Sequence, residues 1–325
     1  MKFFITGATG FIGGRITEKL IKAGHDVNAL VREPEKAQKL SALGVILYRG
    51  DITDKQSMRV AIQNVDGVFH IAGWYKIGTK DKETGYKINV NGTRNVLELM
   101  REYGIKKGVY TSTLSVFSDT KGKVVDEYYR FTGKHLSEYD RSKWMAHYEV
   151  AEPMMNVGLP LIIVQPGLVY GPGDTSDAGE AMNMYINGKL PILPKKTAFC
   201  WAHVDDIADG HILAMQKGVP GQSYIIAGPQ HTMEEAYELA EKLTGIKAPK
   251  IRPAPGVMKF MSGLMKVIGA VVPLPPTYSA EALRVVAGVT YLGDNSKAKN
   301  ELGYRVRPLH EGLKETLDFM LKKQR

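Results

Sequence analysis

Tyr139 and Lys143 stand four residues apart in the segment Tyr139-Asp140-Arg141-Ser142-Lys143. On a helix that spacing puts both side chains on one face. A phenol is a poor base near neutral pH, because its ordinary pKa is about 10. A neighbouring ammonium favours phenolate and lowers that value. The pair can then pass a proton to or from a substrate oxygen, and the three donors of Lys143 suit ribose hydroxyls. Further hydroxyls close an apolar run at Thr111-Ser112-Thr113. One of them can polarise the carbonyl oxygen that Tyr139 protonates. A Tyr-x-x-x-Lys alone is common on helix surfaces, so its meaning depends on what positions it.

The amino terminus, MKFFITGATGFIGG, supplies the positioning. Lys2 to Thr6 reads as a strand, and Gly7, Gly10 and Gly13 follow at spacing three. Phe11 to Ala23 reads as a helix with Ile12, Ile16, Leu20 and Ile21 on one side. Strand, glycine turn and helix in that order seat a dinucleotide pyrophosphate. Gly7 permits the turn, Gly10 lets a phosphate approach the backbone, and Gly13 lets the helix pack close. The helix end offers free N–H groups to the anion. Thr9, Phe11 and Ile12 belong to the same expected cofactor contact.

Beyond it, strands are expected over 25–31, 45–48, 67–71, 107–111 and 161–164, with helices near 34–42, 55–63, 84–103 and 140–157. Such alternation implies an α/β fold, a Rossmann-type doubly wound parallel sheet. After Pro166 the pattern loosens, and Ser223-Tyr-Ile-Ile-Ala-Gly228 suggests a return to the sheet. The expected division is a dinucleotide-binding domain over 1–170, with 198–228 returning to it. A smaller, interleaved C-terminal substrate-binding region takes 171–197 and 229–325.

The end of the second strand bears on the cofactor. Val31-Arg32-Glu33-Pro34 stands there, with Lys36 and Lys39 downstream. A guanidinium matches a ribose 2′-phosphate, so NADP is expected over NAD. Glu33 as a ribose contact is the alternative. Asp51 and Ile52 follow the third strand, where an adenine edge would lie; an ordinary turn explains Asp51 equally well.

Composition narrows the class. The net charge is +9, but the 43 Lys and Arg are scattered, so no nucleic-acid stripe is expected. Cys200, the single cysteine, excludes an intrachain disulfide and fits a reducing cytoplasm. No His, Asp and Glu spacing suggests a metal. No signal peptide or transmembrane stretch is read, so stable membrane insertion is not expected. Val257, Phe260, Met261, Leu264, Met265 and Ile268 recur at helical spacing, with Lys259, Ser262 and Lys266 off the stripe. This segment, 257–272, reads as a lid packing inward over the pocket, with a membrane-surface helix as the alternative.

Taken together, Thr6-Gly-Ala-Thr-Gly-Phe-Ile-Gly13, His70-Ile-Ala-Gly73, Asn89-Val-Asn-Gly-Thr93, Thr111-Ser-Thr113, Tyr139 to Lys143 and Gln165-Pro-Gly-Leu-Val-Tyr-Gly-Pro172 resemble the extended short-chain dehydrogenase/reductases. Ala202-His-Val-Asp-Asp206 and Asn300-Glu-Leu-Gly-Tyr304 carry the resemblance towards the C-terminus. Within that family the chain is most similar to the dihydroflavonol-reductase-like and 3β-hydroxysteroid-dehydrogenase-like branch. The resemblance implies Tyr139 as acid/base, Lys143 as its partner and ribose ligand, and Thr113 as the catalytic hydroxyl, with Ser112 if the register slips by one. It places Ala72, Thr111, Pro166 and Val169 along the cofactor, and Asn89 in support of the same end. Gln165 stands where many relatives carry Arg. Sugar-nucleotide epimerases usually carry Arg-Asp four and three residues before the His of His-Val-Asp-Asp; here Phe199 and Cys200 stand there, followed by Trp201. An apolar wall suits a less charged substrate. His203 and His70 read as structural.

The implied activity is an NADP-dependent oxidoreductase, a carbonyl reductase or alcohol dehydrogenase acting on a ketone or aldehyde with a fairly apolar, aromatic or polycyclic skeleton. Its rivals are a sugar epimerase or dehydratase and a non-catalytic NADP-binding sensor. The family's habit implies a homodimer through the helices near 84–103 and 140–157.

Overall fold

The apolar runs at the centre of the large sheet become buried strands because both of their faces are covered. The computed structural model describes residues 1–79, 81–272 and 275–324. Its strands are β1 (Lys2–Thr6), β2 (Asp26–Val31), β3 (Ile46–Arg49), β4 (Gly67–His70), β5 (Gly108–Thr111), β6 (Leu161–Pro166), β7 (Leu168–Tyr170), β8 (Ala198–His203), β9 (Ser223–Ile226), β10 (Gln230–Thr232) and β11 (Thr290–Tyr291). Seven form one parallel sheet in the order β3-β2-β1-β4-β5-β6-β9. Alternate side chains feed two cores. Phe3, Ile5, Val27 and Ala29 pack with Ile16, Leu20 and Ile207 of the helices Phe11–Lys22 and Val204–Lys217. Phe4, Leu30 and Tyr110 pack on the other face with Val96, Leu97 and Val150. β1 lies between β2 and β4, so the strand order reverses there and opens a crevice at the carboxyl ends.

Several expected helices are composite. The 34–42 stretch is a 3₁₀ turn, Pro34–Lys36, followed by a short helix, Gln38–Ala42. The 55–63 stretch divides likewise at Met58. The 84–103 stretch contains a π turn, Tyr86–Gly92, before the helix Thr93–Glu102. The 140–157 stretch begins earlier, as Glu138–Met145, and passes through a π turn, Ala146–Ala151.

The expected return over 198–228 divides in two. β8 lies in a smaller sheet, antiparallel to β10 and parallel to β11 and β7. The helix after it, Val204–Lys217, lies on the helix Phe11–Lys22, with Lys19 2.8 Å from Asp209 and Arg15 3.6 Å from Asp205. β9 then joins the edge of the large sheet beside β6. A third core of Tyr185, Trp201, Tyr237 and Leu313 fills the space beyond β8.

The helix Pro255–Val271 corrects one expectation. Its apolar stripe does not pack inward as a unit. Met258, Met261 and Met265 pack on Leu283 and Ala287, and Ser262 is buried with them, whereas Val257, Phe260 and Leu264 are exposed. The helix carries two apolar faces, and the sheltered one took the flexible methionines, which adapt to irregular gaps.

Candidate active site

Gly7 follows β1 with φ of 79°, and a Cβ there would lie 2.7 Å from the Ala72 backbone N. A Cβ on Gly13 would lie 2.1 Å from the Gly7 carbonyl O, so only glycine lets the helix approach this closely. Gly10 tolerates more, with 3.2 Å to the same oxygen. The helix Phe11–Lys22 starts with no side-chain cap and no acidic residue in its first turn. Its leading N–H groups therefore have no protein carboxylate to compete with an anion. Thr9 is exposed at this turn, and Phe11 and Ile12 are half-buried. These features fit a dinucleotide pyrophosphate. A hollow of about 430 Å³ beside Met1, Asn64 and Lys106 lies at the opposite, amino ends of the strands, away from this crevice.

Arg32 is exposed just past β2 and has no ion-pair partner among the described residues, while Glu33 is paired with Lys36 at 2.6 Å. Asp51 is engaged in its own turn, where Oδ1 accepts from the backbone N–H and hydroxyl of Thr53, both at 2.8 Å. Ile52 is buried against Gly92.

The loop after β4 joins this cradle to the Tyr–Lys helix. Ala72 touches Gly7, and the next residue, Gly73, is close enough that a Cβ would lie 3.3 Å from Asn89 Oδ1 and 3.9 Å from Lys143 Nζ. Asn89 does not face a ligand. Its Oδ1 accepts from Trp74 N at 2.7 Å, and its Nδ2 donates to Trp74 O and to Ser142 Oγ, both at 2.9 Å. It pins the loop to the Tyr–Lys helix. The expected cofactor contact at Asn89 is thus a positioning one, because every polar atom of the side chain is used inside the protein.

The helix Glu138–Met145 is capped by Ser137, whose Oγ accepts from Asp140 N at 3.0 Å and donates to Asp140 Oδ1 at 2.8 Å. Lys143 is buried. Its Nζ donates to Thr111 O at 2.8 Å and to Tyr110 Oη at 3.1 Å. Burial lowers its pKa to about 7. The Thr113 side chain lies close enough to the Tyr139 phenol to lower its pKa. Burial pushes the phenol up to about 12 against that lowering effect, and the Asp140 charge adds to the rise. The expected depression of Tyr139 by Lys143 is therefore not found: burial governs the phenol, and the Lys143 ammonium is turned to Thr111 O and Tyr110 Oη.

The three hydroxyls are sorted by their partners. Thr111 Oγ1 is 2.8 Å from His211 Nε2, and Ser112 Oγ is 2.8 Å from His147 Nδ1, so both are tied to buried histidines. Thr113 faces Tyr139, with its Oγ1 also accepting from Ser115 N at 3.1 Å. Pro166 is buried at the end of β6, and Val169 is half-buried in β7 beside Ala202. His70 bridges Thr6 and Thr93 at 2.8 and 3.0 Å, and burial lowers it to about 3, so it is a neutral structural group.

Phe199 stacks on Tyr291 at 5.6 Å between ring centres, and Tyr291 Oη donates to Asp140 Oδ2 at 3.4 Å. Cys200 points the other way, with its thiol against Gly293 and pushed up to about 11 by burial. Trp201 is buried, its Nε1 donating to His231 O at 3.0 Å. Of the expected apolar wall, Phe199 alone is partly open. His203, Asp205 and Glu315 bring three potential ligand atoms within 4.8 Å of one another. Glu315 already lies 2.8 Å from the Arg307 guanidinium, whose charge disfavours a cation there.

Glu281 escaped sequence reasoning. Its carboxylate accepts from Glu138 N and Gly78 N, and Arg284 Nε donates to Leu136 O at 2.7 Å. The helix Ala280–Val285 thereby holds the start of the Tyr–Lys helix. No motif marks it.

The sequence model of the NAD dependent epimerase/dehydratase family matches residues 3–227. A dihydroflavonol 4-reductase-like protein of Synechocystis sp. is 29% identical over 98% of this chain and 94% of its own length. A 3 beta-hydroxysteroid dehydrogenase/Delta 5→4-isomerase of Mycobacterium tuberculosis is 28% identical, covering 93% of this chain and 85% of its own. The crystal structure of gox2253 superposes with a TM-score of 0.86 at 28% identity, covering 99% of this chain and 98% of that one. With its cradle, Tyr–Lys helix and seven-stranded sheet, the chain belongs to the NAD dependent epimerase/dehydratase family.

Proposed function

We propose that this protein is an NADP-dependent carbonyl reductase or alcohol dehydrogenase acting on a fairly apolar ketone or aldehyde. The observation that carries this reading is the close packing of the glycine turn on the Ala72–Gly73 loop, which Asn89 pins through Trp74 and Ser142 to the helix that carries Tyr139 and Lys143. Gly7, Gly10 and Gly13 would hold the pyrophosphate, Arg32 the 2′-phosphate, and Lys143 the nicotinamide ribose. A bound reduced nicotinamide supplies the hydride for the carbonyl carbon. Tyr139, protonated at neutral pH, gives its proton to the carbonyl oxygen as negative charge develops there. Thr113 donates a second hydrogen bond to that oxygen. In the other direction the phenolate would accept the alcohol proton, and Lys143 would stabilise it.

Substrate polarity follows from Phe199. Its ring, stacked on Tyr291, offers stacking and no charge where a nucleotide diphosphate would need a cation. That favours reduction of an apolar carbonyl over sugar epimerisation. The names of the relatives, a dihydroflavonol reductase type and a hydroxysteroid dehydrogenase, support the same reading. NADPH oxidation followed against a panel of ketones, aldehydes and nucleotide sugars tests it. Turnover with an apolar carbonyl supports it. Turnover of nucleotide sugars alone, or NADPH binding with no turnover at all, overturns it.

A further inference from the structure

The helix Pro255–Val271 leaves one of its apolar faces open. Val257, Phe260, Leu264, Val267 and Val271 follow one another at spacings of three and four, which makes a single stripe. They are 51%, 74%, 46%, 69% and 84% exposed. Single exposed apolar residues are ordinary, but a continuous stripe of five marks an interaction surface. Lys259 and Lys266, seven residues apart, sit along one edge of the same exposed half, separated from the stripe by Gly256, Gly263 and Ala270. The helix carries no carboxylate.

We propose that this face docks on the surface of an anionic lipid bilayer. The helix lies in the plane of the interface, with Phe260 and the valines among the acyl chain ends and the two lysines at the lipid phosphates. Charge decides between this occupant and a second copy of the chain. Two such helices face to face would bring four lysines together with no carboxylate to answer them, whereas an anionic surface complements both the helix and the +9 net charge. No helix among the described residues is long and apolar enough to cross a membrane, so the proposal concerns surface docking. The proposal does not depend on the hydride-transfer reading.

Sedimentation of the full chain with vesicles tests it. The vesicles are phosphatidylcholine alone, or phosphatidylcholine mixed with phosphatidylglycerol. Binding is expected to the mixed vesicles and to weaken with salt. Phe260→Asp should cut the bound fraction at least about tenfold. Lys259→Gln and Lys266→Gln should each weaken binding about fivefold. Because these side chains project into solvent, an unchanged melting temperature confirms that the variants fold. Failure to bind either vesicle overturns the proposal, as does equal binding to both or full binding by Phe260→Asp. A dimer on a sizing column that Phe260→Asp dissociates, without vesicle binding, assigns the face to a second copy instead.

Discussion

Glu281 holds Glu138 across the fold: one carboxylate oxygen accepts the Glu138 backbone N–H at 2.6 Å, and the other accepts that of Gly78 at 2.8 Å. One side chain from the C-terminal region thus fixes both the start of the Tyr–Lys helix and the loop beyond Gly73. Glu281→Ala should lower kcat by about tenfold to a hundredfold, since reacting groups tolerate little misplacement. Dissociation constants for the cofactor should move less, because the glycine cradle is untouched. Steady-state kinetics beside cofactor titration separate the two; unchanged kcat would reject the positioning role.

Tyr139→Phe should cut kcat/KM by about 10²–10⁴ while cofactor affinity stays within about twofold. Thr113→Val should cost about a hundredfold, with Thr113→Ser retaining most activity. Ser112→Ala should instead register in the melting temperature, because its hydroxyl serves His147. Equal kinetic damage from Ser112→Ala and Thr113→Val would reverse the assignment.

Cofactor preference should turn on Arg32. Arg32→Asp is expected to weaken NADPH by about tenfold to a hundredfold and leave NADH nearly unchanged. Paired fluorescence titrations check this, and an equal effect on both cofactors would remove the 2′-phosphate contact.

A phenol pushed up to about 12 stays protonated through the physiological range. Titration of the phenol should therefore leave carbonyl reduction unaffected between about pH 6 and 9, so that any step near 7 reports Lys143, whereas alcohol oxidation should rise with pH by up to about tenfold per unit. Measuring both directions in one buffer series tests the sign.

Two buried charges also shape stability. Asp140 has its folded pKa raised to about 7 by burial, so the folded state binds the extra proton and stability falls as pH rises from about 4 to 7. Lys143 has its folded pKa lowered to about 7 by burial, so stability rises again from about 7 to 10. The pair predicts a minimum near neutrality. Asp140→Asn should flatten the acid side and Lys143→Met the alkaline side. Melting temperatures across pH 4–10 for the three proteins decide it.

Most of the large sheet was legible because its strands, the edge strand β3 apart, are buried on both faces and read as continuous apolar runs between turn residues. The glycine turn was legible because its steric demands fall on three residues close in sequence. Helix interiors were less so. The π turns at Tyr86–Gly92 and Ala146–Ala151 shift the helical register by one residue, which a periodicity of 3.6 cannot register. Asn89 and His147 sit in those turns, each tied to a buried partner. Glu281 acts across long sequence separations and has no local signature. The helix at 255–271 misled because two apolar faces on one helix look, in sequence, like a single broad one.

β8 carries Phe199 at one end and runs without a break into the helix that lies on the cradle helix through Asp205 and Asp209. Displacement of the aromatic ring and displacement of the cradle helix therefore reach one continuous stretch of chain. Occupancy of either end should be felt at the other as a gain in rigidity, readable as slower amide exchange along β8 when dinucleotide is added. Such a linkage would order the two arrivals without any moving lid.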